Sequence, residues 1–120
     1  MHDTRCVTLS VFQVVLGGPM ADYIDPTEVD PAHYKLLGEN ERTRIIEITL
    51  PAGETDILHS HTVENVYFIT GGKARIDVPG ADSMEAEIPD GHVMFSDAWT
   101  HQVHNIGDTD IHAIIVEHKD

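Results

Sequence analysis

The sequence predicts an all-β domain, a small antiparallel barrel preceded by a short helix. Three observations carry this. Apolar residues recur with a period of two; Arg44, Ile46, Ile48 and Leu50 share one strand face, with Ile45, Glu47 and Thr49 on the other. Turn signals (Pro51-Ala52-Gly53, Gly71-Gly72, Pro79-Gly80-Ala81-Asp82, Pro89-Asp90-Gly91) interrupt these runs roughly every eight to twelve residues, the spacing of a sandwich or barrel. A chain of 120 residues holds one such domain and no second.

Taken in order, residues 1–19 form an N-terminal extension with two readings. The run from Cys6 to Leu16 is apolar enough for an accessory or swapped strand. Alternatively Met20 is the true start and the preceding stretch is mis-assigned upstream sequence, the preferred reading. A signal peptide fits poorly, because Arg5 stands beside Asp3 and Gly17-Gly18-Pro19-Met20 is not a small-x-small cleavage site. Residues 20–120 are the single barrel. Asp30-Pro31, residues 32–37 and Gly38 predict the helix, with Asp30 as N-cap, Pro31 in the first turn and Gly38 as the left-handed stop. Strands are expected over 44–50, 65–70, 74–78, 83–88, 93–95, 101–105 and 111–117.

Twenty-one acidic residues against seven basic ones give a net charge of −14, which argues against nucleic acid as a partner. Cys6 stands alone, so no disulfide forms within the chain, and a reducing, cytoplasmic setting is expected. No run approaches the ~20 apolar residues of a membrane span, so no membrane partner is expected.

Nine histidines are many for this length. His59 and His61 lie two apart, so on an extended strand both imidazoles leave the same face. With His101 arriving from another strand, the pattern reads as one divalent-metal site.

These residues also sit in two motifs. Pro51-Ala52-Gly53 with His59-x-His61-x3-Asn65, then six residues and Gly72, resembles the first signature of the cupin superfamily; Pro89-x-Gly91 with His101-x3-Asn105 resembles the second. The resemblance spans about residues 44–117. It implies a double-stranded β-helix (jelly-roll) barrel, often dimeric, with a metal held inside, typically by three His and one Glu. This chain departs from the pattern by carrying Asn65 where most cupins have the Glu, with Glu64 one residue earlier, and its second motif is about one residue short.

Counting from the His59/His61 face, Asn65, Tyr67 and Ile69 point inward and Glu64 outward; a one-residue slip or bulge would exchange them. The expected metal residues are His59, His61 and His101, with Asn65 at the fourth position. Such a shell resembles the three-His oxygenases, which implies Fe(II), with Mn, Zn or Ni as alternatives. Tyr67 is a candidate hydrogen-bond donor near the metal, or else core. Arg44 is a candidate clamp for a carboxylate at the barrel mouth, or else a strand-end residue reaching solvent. Trp99 either lids the pocket or packs against a partner subunit. The expected function is a small Fe(II)-dioxygenase-type enzyme acting on a small anionic substrate. A non-catalytic metal or ligand binder and a non-redox Mn, Zn or Ni isomerase or lyase stand as alternatives. Exposed sheet edges lead to the expectation of a homodimer.

Overall fold

The computed structural model describes residues 23–119 with their side chains and the backbone of residues 5–7 and 11–12. The eleven strands among these are β1 (Arg5–Val7), β2 (Val11–Phe12), β3 (Tyr34–Glu39), β4 (Thr43–Leu50), β5 (His59–His61), β6 (Glu64–Thr70), β7 (Gly72–Asp77), β8 (Met84–Ile88), β9 (Val93–Ser96), β10 (Trp99–Asn105) and β11 (Ile111–His118); the helix α1 is Pro26–Val29. They form two sheets in the orders β1-β8-β7-β10-β5 and β2-β9-β6-β11-β4-β3. Pairing is antiparallel except where β1 joins β8 and β2 joins β9 in parallel. The two readings of residues 1–19 otherwise lie outside the described residues.

Period-two alternation does the sorting. Along β11, Ile111, Ala113 and Ile115 are buried while their neighbours are partly exposed, and β4 buries Arg44, Ile46, Ile48 and Leu50, as predicted. Each strand thus turns one apolar row inward, and removal of those rows from water drives the two sheets together. The predicted strand positions agree with the observed ones to within a few residues. Gly71 is required where β6 ends, because a Cβ there would lie 1.8 Å from the carbonyl oxygen of Ile88.

The helix predicted at Asp30-Pro31 is corrected. It forms one Asp-Pro pair earlier: Asp25 caps α1 by accepting from the Thr27 amide at 2.9 Å, and Pro26 opens the first turn. Residues 34–39 are β3 instead, paired antiparallel with β4 from Tyr34 opposite Ile48 to Glu39 opposite Arg44. Asn40 closes that hairpin by accepting from the amides of Arg42 and Thr43, both at 2.8 Å. The tertiary partner therefore overrode the local helix signal.

Candidate metal centre

β5 pairs with the first half of β10 in a register that sets His59 opposite His101 and His61 opposite Trp99. Directly opposed residues share a face, so the register brings together histidines 42 positions apart. All three are buried, and one ligand atom from each lies within 4.8 Å of the others. The Nε2 atoms of His59 and His101 are 3.1 Å apart.

The outer nitrogens determine which inner ones are free. His59 Nδ1 donates to the carbonyl of Ile57 at 2.7 Å, leaving a lone pair on Nε2. His61 Nδ1 is bonded to Glu117 Oε2 at 2.7 Å, so Nε2 is the nitrogen His61 can offer. His101 meets Trp99 edge-on, ring centroids 3.9 Å apart at an interplanar angle of 60°, and its Nδ1 is buried without a hydrogen-bond partner.

Burial, then repulsion from His61, pushes the His59 pKa down to about 3. Burial and both neighbouring imidazoles hold His101 well below the usual histidine value. For His61, burial again pulls downward, but the Glu64 charge and the Glu117 hydrogen bond and charge outweigh it, and its pKa is raised. Burial thus favours the neutral form that a metal requires at His59 and His101.

The donor set fits a divalent ion of the first transition row. Imidazole nitrogens bound at about 2.0–2.1 Å stand about 2.9–3.4 Å from one another, and the His59–His101 spacing falls in that range. His101 Nδ1 has no hydrogen-bond partner, and Nε2 is the atom that meets His59. His61 and His101 line a cavity of about 80 Å³. Beyond His61, His101, Glu64, Tyr34 and Trp99, its wall is apolar, including Ile48, Val66, Phe68 and Met94.

The remaining predicted residues are not brought to this point. Asn65 lies on the outer face, where its Oδ1 is hydrogen-bonded to His118, and Tyr67 is 49% exposed. Glu64 points inward instead, 1% exposed, with Oε2 accepting from Trp99 Nε1 at 2.6 Å and Oε1 3.6 Å from His61 Nδ1. The inversion comes from Thr62-Val63: β5 and β6 belong to different sheets, and the bend where the chain crosses between them shifts the phase by one residue. Glu64 is separated from Gly71 by six residues, as Asn65 is from Gly72, so the glycine pair hid the alternative. Even so, the Glu64 carboxylate is not among the atoms within 4.8 Å of one another.

Arg44 reaches neither solvent nor cavity. Its guanidinium donates to the Tyr23 hydroxyl at 2.7 Å and to both Asp25 oxygens at 3.1 and 3.2 Å, with Glu117 3.7 Å away. It anchors the chain before α1 and steadies the carboxylate behind His61. Trp99 is core, 1% exposed, and Asn105 is structural, donating to the carbonyls of Leu50 and Thr109 at 2.8 Å. Sequence reasoning missed Glu117, although a charge continuing the inward row of Ile111, Ala113 and Ile115 was a visible signal. It also missed Tyr34, because residues 30–38 were assigned to a helix, and Asp56, which lies in the connection between β4 and β5.

No protein-family model and no curated protein matches the chain. Solved structures do. A cupin domain from Bordetella pertussis is 24% identical over 72% of this chain and 92% of its own, with a TM-score of 0.64. An RmlC-like cupin with a double-stranded β-helix fold from Methanocaldococcus jannaschii is 17% identical over 71% of this chain and 77% of its own, TM-score 0.57. An oxalate decarboxylase of Bacillus subtilis is 28% identical over 66% of this chain but only 22% of its own, TM-score 0.51. The chain therefore has the cupin fold, a double-stranded β-helix barrel with His59, His61 and His101 placed to hold a divalent metal ion.

Proposed function

We propose that the protein is a small metal-dependent enzyme of the Fe(II) dioxygenase type, acting on a small anionic molecule that chelates the ion. One observation carries this reading: three buried histidine nitrogens lie within 4.8 Å of one another with no carboxylate among them, and two of these histidines, His61 and His101, line a largely apolar cavity. An ion held there supplies Lewis acidity to a chelating substrate and, if it is iron, reactivity toward dioxygen. Neutral ligands leave the full positive charge of the ion to attract an anion. The Arg44 guanidinium is already engaged by Asp25 and Tyr23, so the substrate's negative charge has to be met at the centre itself. His59, His61 and His101 position the ion, Glu117 orients His61, and the apolar wall keeps water from the substrate's body.

The test is oxygen uptake. Protein loaded anaerobically with Fe(II) should consume dioxygen when given a β-diketone or a small thiol, and His101→Ala should abolish both stoichiometric metal and uptake. No consumption across a broad panel removes the dioxygenase reading. A non-redox lyase using Mn, Zn or Ni is the second reading, favoured by the likeness to an oxalate decarboxylase; its turnover should persist without oxygen. Metal-dependent thermal stabilisation without any turnover would identify a binder. No helix among the described residues is long and apolar enough to cross a membrane. We also propose a homodimer, since β3 is a sheet edge with Leu36 and Leu37 exposed; a monomeric mass by light scattering would exclude it.

A further inference from the structure

The cavity that His61 and His101 line has no partner for a second charge on a substrate. No lysine or arginine among the described residues lines it. Its two neutral donors are both engaged: the Tyr34 hydroxyl donates to Asp56 Oδ2, and Trp99 Nε1 to Glu64 Oε2, each at 2.6 Å. Two lining residues carry an unpartnered polar atom, Glu64 Oε1 and His101 Nδ1. Glu64 Oε1 stands 3.6 Å from His61 Nδ1, so both atoms sit at the histidine end. Beyond that end the wall is hydrocarbon, with Ile48, Leu50, Val66 and Phe68 from one sheet and Ala74 and Ile76 from the other. Along β10, Ile76 lies opposite Val103 and Ala74 opposite Asn105, two and four residues past His101. At about 3.3 Å per residue the apolar wall thus runs about 7–13 Å from the histidines.

Resting on the metal reading above, we propose that the substrate has one charged, chelating end and a wholly hydrocarbon body, which lies against β4, β6 and β7. A carboxylate on the body would be buried with neither a donor nor a counter-charge, and an ammonium would find no side-chain acceptor along the wall. Such molecules are rejected by the wall, whatever the strength of their chelating end. The cavity also bounds the body. A water-sized group needs about 10–15 Å³ of such space, so about five to eight non-hydrogen atoms fill the 80 Å³.

The experiment measures binding and needs no turnover. Protein loaded with Co(II) is titrated with 2-hydroxy-4-methylpentanoate and with 2-hydroxybutanedioate, followed by the visible Co(II) bands and by calorimetry. The two acids share one carboxylate–hydroxyl chelate and one shape, and differ in ending in an isopropyl group or a carboxylate. The isopropyl acid should bind at least on the order of 100-fold more tightly. Ala74→Leu fills the cavity from β7 and alters no histidine. It should keep its Co(II) and its affinity for 2-hydroxypropanoate, yet bind the isopropyl acid on the order of tenfold more weakly. Comparable affinities for the two acids in wild type overturn the proposal even if the variant does not fold. Co(II) uptake with binding of neither acid overturns it too, as does an unchanged affinity for the isopropyl acid in folded Ala74→Leu. Failure of wild type to take up Co(II) would instead overturn the metal reading, and this proposal with it.

Discussion

Replacing Glu117 by glutamine tests the electrostatic logic of the centre. The carboxylate is 1% exposed, and its oxygens are divided: Oε2 takes the His61 Nδ1 bond at 2.7 Å, and Oε1 accepts from the Tyr23 hydroxyl at 2.7 Å. A glutamine keeps the shape but has one acceptor, so its NH2 must face a donor. A charge-assisted bond contributes about 1.5–3 kcal/mol and a buried unsatisfied donor costs about 1–3 kcal/mol; the metal-free protein should lose about 2–4 kcal/mol. Metal affinity should fall about 10- to 100-fold, as it does when the partner orienting a ligand histidine is removed. That loss should depend on pH. In wild type, Glu64 and Glu117 raise the His61 pKa against the downward pull of burial, so protons compete with the ion as pH falls. The glutamine relieves part of that competition, and the deficit should be larger at pH 8 than at pH 6. Urea unfolding gives the first quantity and calorimetric titration with Zn or Co(II) the second. Equal affinity of variant and wild type at pH 8 would refute the assignment of Glu117 as the orienting group.

Asn65→Glu should leave metal affinity within about twofold, since the side chain lies outside the barrel; equilibrium dialysis checks it, and marked tightening would mean that Asn65 turns inward. Gly71→Ala should cost at least about 3 kcal/mol or prevent folding, because its Cβ would lie 1.8 Å from the Ile88 carbonyl oxygen; circular dichroism melts report it. Burial raises the Asp56 pKa to about 6, against hydrogen bonds from Tyr34 and Val103, whereas an unfolded aspartate titrates near ~3.9. Across that window the native state binds the proton more tightly. The Asp56 contribution therefore becomes more favourable as pH falls from ~7 toward ~4, by about 1–2 kcal/mol. Unfolding of metal-free wild type and Asp56→Asn at pH 4.5 and 7.5 measures it; identical pH dependence in the two would sink the idea.

Much was legible without coordinates. Alternation along residues 44–50 and 111–117 marked the inward rows, because burial of one strand face writes a period of two into the residues themselves. His59 and His61 shared a face for the same reason, and the two motifs flagged His101 as their partner. What failed were inferences carried across a bend or between strands. Phase counted from His61 to Asn65 assumed one continuous strand, and the crossing at Thr62-Val63 broke it. The helix at Asp30-Pro31 obeyed local propensity until pairing with β4 took those residues into a sheet.

Only the folded chain decided that Arg44 is satisfied by Asp25 and Tyr23, that Glu117 stands behind His61, and that Tyr34 faces His59. Each of these is a contact between residues distant along the polypeptide, settled by register and burial. Neighbouring residues constrain the backbone's period, but which charge meets which lone pair depends on how the two sheets close over the cavity.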